Sequence, residues 1–176
     1  MMPATLPTPE RDSAYRWGAS VLVAAIAIIL TALGFEYIGG YRPCPLCLQQ
    51  RYAYYAGIPV LFGALVLVST GHRRWAGFLF AIVAAGFLVN AGLGVYHAGV
   101  EWKLWAGPET CQLYLDSAPA GSGGVLEQLK TVRVIRCDEA PWRFLGLSFA
   151  GWNALLSIFL ALGAFMAARL SWQRGI

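Results

Sequence analysis

Charge is what this chain has least of. Lysine and arginine number 13 and aspartate and glutamate 9 among 176 residues, 12% in all, about half the usual fraction in a soluble domain. Histidine occurs only twice. No glycine-rich dinucleotide fingerprint, haem-attachment motif or iron–sulfur spacing is present, so no nucleotide, haem or cluster motif supplies a redox partner. The basic residues never gather densely enough to follow a phosphate backbone, which argues against nucleic acid. There is no internal repeat, and the one low-complexity run, Ser117–Gly124, reads as a flexible loop. The first 16 residues hold two acids and three prolines, unlike an organelle-targeting leader.

What fills the chain instead is apolar: 58% of residues, with a mean hydropathy of +0.57. These residues fall in blocks rather than stripes. A bilayer core needs about 20 apolar residues per helix, and four blocks meet that length: Trp17–Phe35, Tyr52–Thr70 (with a kink expected at Pro59), Trp75–Tyr96 and Phe144–Ala168. The third, 22 residues long, would span roughly 33 Å as a helix. The first block is too long, and its leader too acidic, for a cleaved signal peptide, so an uncleaved anchor is expected. The expected fold is an all-α integral membrane protein. It is one domain over residues 1–176, a four-helix transmembrane bundle with connecting loops at 36–51 and 97–143.

The span count relates the four cysteines. Cys44 and Cys47 lie between the first two spans, Cys111 and Cys137 between the last two. Two crossings separate the pairs, so all four are expected on one side of the membrane. Basic residues beside the spans (Arg11, Arg16, Arg73, Arg74, Arg169, Arg174) favour cytoplasmic termini, although Arg42 and Arg51 blunt the bias. Stable disulfides need an oxidising compartment. The expected location is therefore a bacterial inner membrane, with both termini cytoplasmic and the cysteines periplasmic.

The stretch Arg42–Arg51, RPCPLCLQQR, carries the sharper chemistry. Cys44 at the N-cap of the second helix would place Pro45 at the first helical position, where its missing N–H costs nothing, and Cys47 two residues later. Both sulfurs would then face the unpaired N–H groups and positive end of the helix dipole, which favours the reactive thiolate. Arg51 follows Cys47 by four residues, on the same helical face. A guanidinium there could steady a thiolate or a bound oxygen acceptor, or it could simply snorkel to the interface. Half of a zinc site is a second reading of the pair, but Cys111 and Cys137 do not form the matching second CxxC. Inert buried cysteines are a third.

Cys111 and Cys137 stand 26 positions apart in the one long connection. A disulfide between them could be a staple worth roughly 3–4 kcal/mol on a loop-entropy model. The loop also contains VLEQLKTVRVI, residues 125–135, whose apolar residues recur at helical spacing and suggest a short helix on the membrane surface. A mobile loop carrying a disulfide near a reactive CxxC suggests a relay by thiol–disulfide exchange.

Making disulfides requires an acceptor of two electrons. With no bound-cofactor motif present, a lipid-soluble quinone, ubiquinone or menaquinone, is the natural one. His97, at the outer end of the third span, could hydrogen-bond a quinone carbonyl or handle its proton, or it could cap a helix end. Glu36, ending the first span, is a weaker candidate for proton relay. Asn90 and Asn153 lie within spans, where amides more often join helix to helix. Trp102, Trp105 and Trp142 read as interface aromatics.

The pattern resembles the DsbB family of quinone-linked, disulfide-forming membrane proteins. LTALGFEYIGGYRPCPLCLQQR is similar to that family's first-span exit and CxxC with its arginine. VYH followed by GPETC is similar to its third-span exit and loop cysteine, and CDEAPWRFLGLSFAGW to its fourth-span entry. The resemblance implies that Cys44 and Cys47 form the quinone-reactive pair, with the Cys47 thiolate engaging quinone. It implies that Cys111 and Cys137 exchange with a soluble thioredoxin-fold, DsbA-like partner, Cys111 making the mixed disulfide. Arg51, and less firmly His97, would belong to the quinone site. A relative dedicated to one client protein fits the same residues. In vitamin K epoxide reductase-like proteins the loop pair precedes the CxxC, whereas here it follows. A four-thiol metal-binding membrane protein, from a different class, would want acids or histidines inside the spans, and these are nearly absent.

Overall fold

The structure, a computed structural model, describes residues 13–108 and 137–173. Its helices are α1 (Ser13–Tyr37), α2 (Pro45–Ser69), α3 (Arg73–Glu101) and α4 (Phe149–Gln173). All four are long and apolar enough to cross a membrane. Twenty-five residues make about 37 Å of helix, so each exceeds the hydrocarbon core and carries polar turns beyond it. Large apolar side chains such as Val23, Leu30, Phe62, Val89 and Phe159 point outward, which suits a lipid surround.

Each helix packs on its neighbours in sequence, and α1 closes the ring against α4. Small residues set the tightest approach. Ala150, Ala154, Ser157, Ala161, Ala164 and Ala168 form a buried seam along α4, and such seams let helix backbones come close in lipid. A Cβ added to Gly94 of α3 would sit 3.0 Å from the Cβ and backbone N of Ala154 and 3.1 Å from the carbonyl of Ala150. The mid-bundle core fills around Phe80, Phe87 and Leu61.

The turn between α2 and α3 is a helix stop. The N–H of Gly71 bonds the Val68 carbonyl, and that of His72 bonds the Leu67 carbonyl. This double bond pattern needs a left-handed residue after the cap, and Gly71 supplies it with φ +85°.

Helix boundaries differ from the hydropathy blocks at several ends. α2 begins at Pro45 rather than near Tyr52, so the thiol pair sits on its first turn; the polar residues Gln49–Arg51 interrupt hydropathy but not helix. Pro59 lies within α2 without ending it. α3 runs on to Glu101, past the expected end at Tyr96. Before α4, the apolar stretch from Arg143 makes a two-stranded hairpin instead, β1 (Arg143–Phe144) and β2 (Leu147–Ser148). Leu145 and Gly146 turn it with φ of 51° and 82°, the paired positive φ that a tight two-residue hairpin requires. Ser148 then caps α4, its Oγ accepting the N–H of Gly151 at 3.3 Å. The surface helix expected at 125–135 lies outside the described residues.

Candidate thiol centre and adjoining cavity

Cys44 is the N-cap of α2. Its backbone is extended and its sulfur accepts the Cys47 N–H at 3.2 Å, while Pro45 fills the first helical position. A cap sulfur held this way satisfies one of the helix's orphan donors and feels its positive end. The two sulfurs are unbonded and 2.8 Å apart, so a small closing movement would bring them to the ~2.05 Å of a disulfide. The Cys44 thiol is lowered from 9.0 to about 5. The first cause is the hydrogen bond from the Cys47 thiol, opposed by burial and aided by His97.

The sulfur spacing is short for one metal ion. Cys44, Cys47 and His97 place three donor atoms within 4.8 Å of one another. Two sulfurs on a tetrahedral zinc, however, stand about 3.8 Å apart, given Zn–S bonds near 2.3 Å. At 2.8 Å the sulfurs stand nearer to disulfide spacing than to that of a zinc site.

His97 comes from α3 and is fully buried behind the pair. Its Nε2 lies 3.6 Å from Cys44 Sγ and 4.0 Å from Glu101 Oε1; its Nδ1 is 2.9 Å from Gln50 Nε2. Cys137 is disulfide-bonded, and it packs with Cys44 and Leu46 in one buried cluster, with Cys47 and Leu93 against it. Three of the four cysteines thus meet at one end of the bundle. Cys111 lies outside the described residues.

On the other side of Cys47 opens a cavity of about 520 Å³ between α1, α2 and α4, within the usual range for a small-molecule site. Its walls are mostly apolar: Ala27, Ile28, Thr31 and Phe35 from α1, Phe149 and Leu156 from α4, and Trp142. Trp142 stacks on Phe149 at 5.0 Å and on Phe144 at 5.7 Å, so it lines a cavity where sequence suggested an interface aromatic. Trp105 stacks on Tyr96 and donates its Nε1–H to the Tyr96 carbonyl.

The polar groups on the cavity wall follow a rule. Cys47, Gln50, Arg51 and Tyr54 recur at i, i+3, i+4 and i+7, one face of α2. Arg51 forms an ion pair with Glu36 of α1, so the cation at the wall is charge-compensated. Asn153 of α4 answers from across the bundle. Its Nδ2 donates to Gln50 Oε1 at 2.7 Å, and its Oδ1 accepts from Tyr54 at 2.8 Å and, more weakly, from Asn90 at 3.4 Å. Asn90 also donates to Ser157 at 2.9 Å. Both in-span asparagines therefore join helix to helix. His97 is not among the cavity's lining residues; Gln50 stands between.

Sequence reasoning passed over three buried polar groups at this end: Gln50, Tyr54 and Glu101. Two spacings in the sequence carry their signal. Gln50 and Tyr54 share the helical stripe of Cys47, and Glu101 stands one turn after His97.

Comparison with known proteins decides the family. Residues 15–167 match the family described as disulfide bond formation protein DsbB. The chain belongs to that family. Relatives named "Disulfide bond formation protein B" include one from Polaromonas sp. (strain JS666), 31% identical over 89% of this chain and 92% of the relative. One from Marinobacter nauticus is 33% identical over 88% and 92%, and one from Xanthomonas campestris pv. campestris 33% identical over 87% and 92%. No solved structure matches the chain. With four spanning helices and this membership, the protein is a multi-pass membrane oxidoreductase of disulfide bond formation.

Proposed function

We propose that this protein re-oxidises a periplasmic, thioredoxin-fold dithiol protein similar to DsbA and passes the electrons to a membrane quinone. The observation that carries the reading is the placement of Cys47 on a mostly apolar cavity beside Arg51. An apolar, aromatic-walled chamber with a few polar groups at the thiol end suits a quinone ring and its tail. Arg51 would orient one ring oxygen, and Cys47 would be the sulfur that meets the ring. A bound quinone supplies a two-electron acceptor in the membrane.

The protein's own residues do the rest. Cys44 packs with Cys137 and, unlike Cys47, does not line the cavity, so exchange between the two cysteine pairs can occur there. Cys111 would make the mixed disulfide with the partner, and Cys137 would hand the exchange inward. The thiol pair would face the periplasm, with both termini in the cytoplasm. Whether the client is one protein or many follows from the partner surface, not from this centre.

The test is a coupled assay. Purified protein is mixed with a reduced thioredoxin-fold dithiol protein and a soluble quinone analogue, and quinone absorbance and partner thiols are followed together. Loss of two partner thiols for each quinone reduced is expected, abolished by Cys47→Ser. Normal turnover in Cys47→Ser would refute the assignment of the cavity sulfur.

A further inference from the structure

The buried polar groups between the cavity and the thiol pair form a directed chain, and its direction bears on the chemistry of His97. Gln50 is 5% exposed and His97 2%, so neither exchanges its partners for water. A buried amide must present its nitrogen to an acceptor and its oxygen to a donor. Asn153 Oδ1 is taken by the Tyr54 hydroxyl at 2.8 Å and faces Asn90 Nδ2 at 3.4 Å, which leaves Asn153 Nδ2 to donate to Gln50 Oε1 at 2.7 Å. The nitrogen of Gln50 then faces His97 Nδ1 at 2.9 Å and donates to it. An imidazole nitrogen that accepts carries no proton, so the ring hydrogen belongs on Nε2, the atom 3.6 Å from Cys44 Sγ.

We propose that Gln50 is a positioning residue that holds His97 with its Nε2–H directed at Cys44 Sγ, making His97 a hydrogen-bond donor to the thiol pair. This rests on the reading of Cys44 and Cys47 as the working pair and deepens it. A ring held in this form presents a hydrogen-bond donor to Cys44 Sγ. It stabilises Cys44 as a thiolate whenever that sulfur is released, and leaves the second proton of the reduced pair on Cys47. The other groups around the ring agree with the assignment. Cys137 forms a backbone hydrogen bond with it, and a carbonyl acceptor there requires a ring N–H. Glu101 Oε1, 4.0 Å from Nε2, is another acceptor. Glu101 in turn faces Ser148 and Arg143 of the hairpin and Cys44. No donor other than Gln50 competes for Nδ1 among the described hydrogen bonds.

The test uses the full-length protein in detergent, reduced, without quinone or partner. Nitrogen NMR of the labelled His97 ring should show a bare Nδ1 and a protonated Nε2 near neutral pH. A protonated Nδ1 would overturn the proposal without any variant being made. Thiolate ultraviolet absorbance, followed between about pH 4 and 8, should then move upward by about one pH unit in Gln50→Leu. In a His97→Ala background, Gln50→Leu should produce no additional shift. A shift of equal size with and without His97 would show that Gln50 acts by packing alone and would overturn the proposal. Neither measurement involves electron transfer, so a failed coupled assay leaves these results standing, and the reverse also holds.

Discussion

The low-pKa sulfur makes a quantitative demand on the redox couple. Reducing a disulfide to two neutral thiols takes up two protons with two electrons, and the midpoint potential falls by about 59 mV per pH unit; if one sulfur stays ionised, one proton is taken up and the fall is about 30 mV. Cys44 is lowered from 9.0 to about 5 by its hydrogen bond from Cys47, with further help from His97. The sign follows from linkage: a depressed pKa stabilises the reduced pair, fully above pH 9, less with each unit below that, and not at all once pH has fallen past about 5. At pH 7 two pH units remain, about 2.7 kcal/mol at 1.36 kcal/mol per unit, or about 60 mV toward a stronger oxidant. The assay is equilibration of a Cys111→Ser/Cys137→Ser variant with glutathione buffers, an acid quench and maleimide counting of thiols. The expected slope is near 30 mV per unit from about pH 6 to 8, steepening toward 59 mV below about pH 5. A slope of 59 mV throughout would mean that Cys44 is an ordinary thiol, and the account of the helix cap would fail.

Two further outcomes follow from the same structure. Arg51→Ala should raise the KM for a quinone analogue roughly 10- to 100-fold, the loss of one charge-assisted hydrogen bond, with a smaller change in kcat; an unchanged KM would leave Arg51 only its pairing with Glu36. Gly94→Leu should destabilise the bundle by about 1–3 kcal/mol through overpacking, since its Cβ already meets Ala154 at 3.0 Å. Thermal unfolding in detergent reads this, and an unaltered midpoint would show that the α3–α4 seam has room to spare.

The bundle was legible because hydropathy blocks and spanning helices answer to the same physics, the need to satisfy backbone groups inside lipid. The cap was legible too: a cysteine before a proline at the edge of an apolar run has few other places to be. What hydropathy alone blurred was where helix continues through polar residues. Gln49, Gln50 and Arg51 lower the hydropathy and shortened the expected second span, yet they occupy the first turns of α2. His97 and Glu101 did the same at the far end of α3. The hairpin before α4 was hidden for the opposite reason. Phe144, Leu145 and Leu147 are apolar, and the turn is made by a leucine at φ 51° beside Gly146, without the Asn-Gly or Asp-Gly signal that marks such turns.

The same reasoning explains why the centre's second layer was hard to read. A polar residue inside a span suggests either a structural helix-to-helix bond or a functional group, and sequence offers no way to choose. Here the distinction dissolves. Asn153 joins α4 to α2, a structural task, and by doing so it fixes which end of the Gln50 amide faces His97. In water a misoriented amide would find another partner at little cost. In an apolar bundle each unmet donor or acceptor costs about 1–3 kcal/mol, so each polar contact constrains the next. A stripe of four residues over about two turns of α2, answered by Asn153 and Ser157 one turn apart on α4, is therefore enough to carry orientation from mid-bundle to the sulfur of Cys44.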